Sequence, residues 1–134
     1  METPGDLFKY FIHGISFSIM LSFVSILWVF MLAVFLALGY IIGLVLAFGV
    51  LFLMMGAINT ILTSGIWDAH IEAGVATMLV HGFSLFIILF VANFPSIFLL
   101  TYFPGIVIQV GLILVYAFVD GYIAKGLGLS FRQS

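Results

Sequence analysis

One histidine falls inside a long apolar stretch, and an ionisable side chain at membrane depth is a candidate for function. His81 follows the expected start of its span at residue 71, which puts it about 13–15 Å into the bilayer at 1.5 Å per residue. Its imidazole could relay protons, ligate haem or a metal, or stay neutral and hydrogen-bonded in a helix core. We expect the core role, with a Ser, Thr, amide or carbonyl of a neighbouring span as the partner.

Haem held by two histidines needs side chains at matched depth on facing helices. His13 and His70 are expected near the charged side of the membrane, at a different depth from His81. The chain contains no cysteine, which excludes disulfides, thiolate metal sites and iron–sulfur clusters within it. The sequence therefore predicts no haem, and we expect no other cofactor.

A short acidic segment between the two halves of the chain offers a weaker candidate for metal binding. Asp68, His70 and Glu72 alternate with apolar residues there, and His13 and Asp120 are expected on the same side of the membrane. Carboxylates and imidazoles ligate several divalent metals. On a helix, however, Asp68 and Glu72 would share a face that excludes His70. We interpret the segment as a solvated loop and predict no metal site.

Uncharged amides are the remaining polar groups in or near the apolar stretches. Asn59 and Gln109 join His81 as candidate functional polar residues, and interhelical hydrogen bonding would also explain them. Asp120 and Lys125 are expected to form an interfacial pair at a helix end. No nucleophile–base pair, phosphate loop or zinc-protease motif is present, so we predict no catalytic residue, and a membrane enzyme or redox anchor is the third functional alternative.

The elements that carry these residues follow from the distribution of charge. All charged residues fall outside two stretches, Tyr10 to Trp67 and Ala73 to Val119. A charge at the bilayer centre costs at least roughly 2.5–3.5 kcal/mol, so such stretches mark membrane-embedded segments. The 134 residues are 66% hydrophobic and 6% charged, against roughly 25% charged in a typical soluble domain. These values exclude a water-exposed globular domain.

We predict an all-α integral membrane protein with four transmembrane helices arranged as two hairpins. One crossing takes about 20 residues, so each charge-free stretch holds two spans. A single domain covers 1–134, with residues 1–17 partly in the interface and 125–134 as a flexible tail. Pro95 should stop or kink the third span, which leaves 96–103 as an interfacial or re-entrant connection. The spans are expected at about 18–38, 41–62, 71–93 and 105–124.

The cations suggest an orientation for these spans. Lys9, Lys125 and Arg132 all lie near the two ends of the chain. An even number of spans puts both termini on one side of the membrane, and short flanking segments with Lys and Arg stay cytoplasmic. We therefore predict that both termini are cytoplasmic and that all charged residues share their side.

Each predicted span has one face of small residues. Such faces let helices approach closely, because packing and interhelical hydrogen bonds drive helix association in lipid. We expect them to form the core of a four-helix bundle, with a polar pathway along the Ser and Thr stripes as the functional alternative. The expected packing positions are Gly14, Ser18, Ser22, Ser25, Gly49, Gly56, Gly74, Thr77, Ala117 and Gly121.

The two connections opposite the charges direct the functional prediction. Residues 38–43 and 94–104 are uncharged and rich in large apolar side chains, and such exposed patches mark interaction sites. We predict a non-catalytic membrane subunit whose partners are the lipid bilayer and other membrane-protein subunits or copies of itself. The alternative is a small transporter or channel with a polar pathway near His81 and the Ser and Thr stripes. The net charge of −2 gives no reason to expect nucleic acid.

Overall fold

The computed structural model describes residues 4–71 and 74–131, which form four α-helices. The helices are α1 (Pro4–Leu36), α2 (Tyr40–Trp67), α3 (Val75–Tyr102) and α4 (Ile106–Ser130). They contain 33, 28, 28 and 25 residues, more than the roughly 20 that a bilayer crossing requires. All four are long and apolar enough to cross a membrane, which indicates an all-α, multi-pass integral membrane protein.

The surface of the bundle is as apolar as its interior. Phe30, Ile41 and Val107 are 69%, 75% and 80% exposed, and large apolar side chains cover the outside of every helix. A helix that is hydrophobic on all sides is stable either in a large protein core or in lipid. Because the four helices leave these surfaces uncovered, lipid is the solvent that accounts for them.

The turn between α1 and α2 depends on a glycine. Ala37, Leu38 and Gly39 donate backbone hydrogen bonds to carbonyls three residues earlier and close the end of α1. Gly39 has φ 131°, a left-handed conformation that side chains disfavour. Its carbonyl then accepts the Gly43 amide at 2.8 Å as α2 begins. The bounds of this turn lie within two residues of those that the sequence predicts.

The third helix continues through Pro95, which was expected to stop or kink it. Pro95 lies inside α3, which reaches Tyr102, so most of the predicted connection 96–103 is helical. Polar side chains bond to neighbouring backbone carbonyls: Asn93 Nδ2 donates to Leu89 O at 2.8 Å, and Ser96 Oγ donates to Asn93 O at 2.6 Å. Such contacts let membrane helices tolerate proline, because local side chains help to satisfy the backbone around it.

Two further helix ends differ from the sequence-based bounds. α1 begins at Pro4, so most of the segment 1–17, expected to lie partly in the interface, is continuous with the first span. α4 continues to Ser130, so the predicted flexible tail is helical over 125–130, and residues 132–134 lie outside the described part. Apolar side chains on both sides of Lys125 account for this extension, because they continue the hydrophobic pattern of α4.

The four helices pack in a ring. α1 packs against α2 and α4, and α2 packs against α3. The contact between α3 and α4 is less extensive, and that between α2 and α4 across the ring is the smallest. Within residues 4–71 and 74–131, no Cα atom of α1 lies within 8 Å of a Cα atom of α3. The core consists of Phe17, Leu51, Met55, Ile58, Leu85, Leu89 and Ala124.

The core occupies only part of the length of α3 and α4. The buried residues of α3 lie between His81 and Leu89, and those of α4 lie between Ala117 and Gly128. Residues 90–102 and 106–116, which we call the distal segments, contain no buried side chain. The bundle is therefore tightly packed in one half and open in the other, where the distal segments lie.

Candidate functional site: a buried polar network and a cavity beside Asp120

A polar network around Asn59 connects all four helices in the packed half of the bundle. Its amide accepts from His13 Nε2 on α1 at 2.8 Å and donates to His81 Nε2 on α3 at 2.9 Å. The same amide nitrogen donates to the carbonyl of Ala124 on α4 at 2.8 Å. Trp67, at the end of α2, donates from Nε1 to His13 Nδ1 at 3.1 Å. Asn59, His13 and His81 are completely buried.

The ends of this network fix the direction of every hydrogen bond. The Trp67 indole can only donate, so His13 Nδ1 accepts and its proton lies on Nε2. The Ala124 carbonyl can only accept, so Asn59 Nδ2 faces it and also donates to His81. His81 therefore accepts at Nε2 and carries its proton on Nδ1. Both histidines are neutral in this arrangement, which needs one acceptor nitrogen from each.

One donor of the network lacks a partner in the described structure. His81 Nδ1 is buried and has no hydrogen-bond partner among residues 4–71 and 74–131. The ring of Phe131 stacks on the His81 imidazole with centroids 4.7 Å apart and planes 17° apart. His81 is thus held by one hydrogen bond and one stacking contact, whereas His13 is held by two hydrogen bonds.

The predicted difference in level between His13 and His81 is wrong. The two residues were expected at different depths, with His13 near the charged side, yet both rings bond to the same amide. The reason is the early start of α1, which puts His13 about 14 Å from the helix start, while His81 lies about 9 Å from the start of α3. The two rings consequently reach the same level in the bundle.

The other predicted metal candidates are not brought together. Asp68 and His70 are exposed beyond the end of α2, and Glu72 lies outside the described residues. His13 is engaged in the polar network, and Asp120 accepts a hydrogen bond from Asn93 on α3. Among residues 4–71 and 74–131, no group of three or more His, Asp or Glu side chains could hold a metal ion.

Asp120 lies well inside the fourth membrane helix and not at its end. It is about 15 Å from the end of α4 and about 21 Å from its start, because the helix continues to Ser130. Its Oδ1 accepts from Asn93 Nδ2 at 2.8 Å, and the side chain is half-buried. Lys125, its expected partner, instead donates to the Tyr10 hydroxyl at 3.0 Å. The predicted pair at the helix end is therefore wrong.

Lys125 belongs to an aromatic cluster near the ends of the helices. Its ammonium lies 4.0 Å from the centroid of the Trp67 ring and 4.8 Å from that of Tyr10. Lys9 approaches the same Trp67 ring at 5.3 Å. Amphipathic aromatic rings and lysines with apolar stems typically occupy the membrane interface, so this cluster marks that level of the bundle.

A cavity of about 470 Å³ opens beside Asp120. It lies between α1, α3 and α4, where the Cα atoms of α1 and α3 stay more than 8 Å apart and the distal segments leave space. Its walls are mainly apolar, as in most small-molecule sites, with a few polar groups that converge on the space. The polar lining residues are Ser18, Asn93, Ser96, Gln109, Tyr116 and Asp120.

The predicted packing glycines occupy two kinds of environment. A Cβ on Gly14 would collide with the backbone of Ala117, and one on Gly121 would collide with the backbone of Tyr10. A Cβ on Gly56 would likewise collide with the backbone of Met78. A Cβ on Gly49, by contrast, would point into open space, with no atom of a described neighbouring helix within 4 Å.

The predicted hydroxyl-bearing positions and Gly74 lie mostly away from the core. Ser22 is exposed and donates to the carbonyl of Ser18, its own helix neighbour, at 2.8 Å. Ser18 is exposed and lines the cavity beside Asp120. Gly74 is exposed before the start of α3, and Ser25 and Thr77 are half-buried.

The sequence did not predict the central roles of three residues. Asn93 and Asp120 form the polar pair of the cavity, and Gly82 packs so closely that a Cβ would collide with the backbone of Phe52. The apolar residues Leu127 and Leu129 could have indicated that the fourth helix continues past residue 124, so that Asp120 lies away from its end.

Comparisons with models of protein families, with curated proteins and with solved structures found no match. The fold defines the class, a multi-pass helical membrane protein.

Proposed function

We propose that the protein is a small transporter or channel whose solute pathway includes the cavity beside Asp120. The observation that carries the proposal is a carboxylate within a membrane helix, about 7–8 Å along α4 from the interfacial Lys125, that accepts from Asn93 beside an open cavity. A charge at such a depth is costly, and ionisable side chains there usually mark ion or substrate pathways. A purely structural role would be served as well by an uncharged side chain.

The sequence offers a small transporter or channel as the alternative function, with a pathway near His81. The present proposal places the pathway beside Asp120 instead. His81, which was expected in a core role, was the pathway residue of that alternative, and it is buried in the Asn59 network, away from the residues that line the cavity. Of the predicted serine stripe, Ser18 lines the cavity. Asp120 is therefore the functional group of the proposed pathway, and Asn93 orients its carboxylate.

A topology accompanies the proposal: two helical hairpins with both termini in the cytoplasm. The support is the position of the described charges outside the cavity. Asp6, Lys9 and Lys125 lie near the start of α1 and the end of α4, and Asp68 follows α2. With Asp120 inside the bilayer, the remaining charges need face only one aqueous side, and the cations favour the cytoplasm.

A flux assay tests the transport proposal. The protein is reconstituted into phosphatidylcholine vesicles that contain a pH-sensitive or sodium-sensitive dye, and gradients of protons, sodium or 4-phenylbutylammonium are applied. We expect flux of at least one of these solutes above that of empty vesicles. Asp120→Asn should abolish this flux, and Asp68→Asn, which changes an exposed aspartate outside the cavity, should retain it. Flux that is absent, or equal in Asp120→Asn and the wild type, would contradict the proposal.

The second candidate is the non-catalytic subunit of a larger membrane complex or homo-oligomer. It is favoured by the distal segments, whose residues include no buried side chain and which leave α3 and α4 only partly packed. Helices of another subunit or of a second copy would cover them and fill the cavity. Mass measurement in mild detergent tests this candidate: co-purifying chains or a discrete oligomer support it, and a monomer that retains Asp120-dependent flux overturns it.

A further inference from the structure

We propose that the cavity beside Asp120 takes a lipophilic organic cation with a single ammonium group. The inference rests on the proposed function, because it names the class of solute that the same cavity would admit. It follows from the charge, the polar contacts and the walls of the cavity.

The cavity has one acidic side chain and, among the described residues that line it, no basic one. Among the described residues that line it, Asp120 alone is charged, and its contact is the neutral amide of Asn93. Lys125, the nearest cation along α4, is directed to Tyr10 and Trp67. A ligand of opposite charge would complete the ion pair, whereas an anion would meet repulsion in a medium that screens charges poorly.

The polar contacts suit one ammonium group. Asn93 Nδ2 donates to both Leu89 O and Asp120 Oδ1, which orients the amide and leaves its carbonyl oxygen as an acceptor. The Ser96 hydroxyl donates its proton to the backbone carbonyl of Asn93, so the lone pairs of its oxygen can accept a hydrogen bond. A primary ammonium carries three donors and can bond to Asp120, Asn93 and Ser96 together.

The walls and the size of the cavity disfavour a bare metal ion. Calcium takes 6–8 oxygen ligands and magnesium demands compact octahedral coordination, whereas one carboxylate faces this space of about 470 Å³. Ile15, Leu100, Leu112 and Ile113 line the rest of the cavity. Burial of a hydrocarbon or aromatic group against these apolar side chains would lower the free energy of binding, which is why the cation should be lipophilic.

Binding of a matched pair of probes tests the inference directly. 4-Phenylbutylammonium and the neutral 4-phenylbutanol share their hydrophobic part and differ in charge. Each is titrated calorimetrically into the protein in phosphatidylcholine nanodiscs, and the signal of empty nanodiscs is subtracted. We expect the wild type to bind the ammonium at least tenfold more tightly than the alcohol. Asp120→Asn should remove this preference, and Asp120→Glu and Asp68→Asn should retain most of it.

The outcomes separate this inference from the proposed function. An ammonium bound no more tightly than the alcohol by the wild type overturns the inference without any variant, so a poorly folded Asp120→Asn cannot obscure the result. A preference that survives in folded Asp120→Asn also overturns it. Asp120-dependent flux of protons or sodium without ammonium preference would leave the transporter standing and reject the solute class. Selective ammonium binding without flux would support the solute class and reject the transporter.

Discussion

His13 and His81 bind opposite atoms of one amide: the first donates to Asn59 Oδ1 at 2.8 Å, and the second accepts from Asn59 Nδ2 at 2.9 Å. Each histidine comes from a different helix, and the same Asn59 nitrogen reaches the backbone of α4 through Ala124. In lipid, where apolar surfaces gain little from association, such interhelical hydrogen bonds help to specify which helices meet. The network therefore specifies the register of the packed half of the bundle.

Replacement of Asn59 by leucine should lower the free energy of unfolding more than the same replacement of any other residue in the network. Asn59→Leu removes its three interhelical hydrogen bonds and leaves the His13 donor and the Ala124 carbonyl without their partner. Interhelical hydrogen bonds in membranes contribute about 0.6–1.7 kcal/mol each, so we expect a loss of about 2–4 kcal/mol. Unfolding in mixed micelles with increasing SDS measures it, and stability equal to the wild type would contradict the network.

The two histidines should differ in their contribution to stability. His13→Leu removes bonds to Asn59 and Trp67, whereas His81→Leu removes one bond to Asn59. We expect His13→Leu to lower the free energy of unfolding by about 1–3 kcal/mol and His81→Leu by about half as much. His81→Gln can still present an acceptor to Asn59 and should lie closest to the wild type. If His81→Leu proved the more damaging change, the assigned bonds would be wrong.

Two glycines of α2 form a matched pair for close packing. A methyl group at Gly56 would collide with the Met78 backbone, while the corresponding space at Gly49 is open. Gly56→Ala should therefore force α2 and α3 apart at a cost of about 1–3 kcal/mol. Gly49→Ala should be neutral or stabilising by up to about 1 kcal/mol, since alanine favours the helix. Equal thermal stability of the two variants would count against the packing of α2 on α3.

Thiol labelling in cells tests the proposed topology, and the absence of natural cysteine makes the background low. Leu38 and Gly105 precede α2 and α4, and both are exposed, as is Ser130 at the end of α4. Cysteines at Leu38 and Gly105 should react with an impermeant reagent from outside, and a cysteine at Ser130 only after permeabilisation. Reaction of Gly105 and Ser130 variants from the same side would reject the two-hairpin arrangement.

The number of helices could be predicted because the cost of burying charge acts on local sequence. Two charge-free stretches were enough to place four spans. The positions of His13 and Asp120 along their helices could not be predicted in the same way, because they depend on where α1 begins and where α4 ends. The charges at Lys9, Asp120 and Lys125 marked helix ends in the sequence, yet aromatic rings accommodate the lysines and Asn93 accommodates the aspartate.

The sequence pattern also could not predict that His13 and His81 both bond to Asn59. Each residue was identified as polar in an apolar context, but periodicity assigns a residue to a helix face without assigning the partner that it meets. Gly82 was missed for a related reason: its contact with Phe52 depends on how closely α2 and α3 approach. Tertiary contacts of this kind follow from the packed structure rather than from the pattern along one helix.

The central claim, that the space beside Asp120 admits solutes from water, is tested most directly by comparing cysteines at two adjacent residues of α4. Ile113 lines the cavity, and Leu114 is exposed elsewhere on the helix at nearly the same depth. A thiol ionises and reacts readily in water but poorly in lipid, so a small cationic methanethiosulfonate reagent reports the solvent around each position. We predict that Ile113→Cys reacts at least tenfold faster than Leu114→Cys in membranes. Equal, slow reaction at both positions would show that lipid or a partner helix fills the cavity and would contradict the claim.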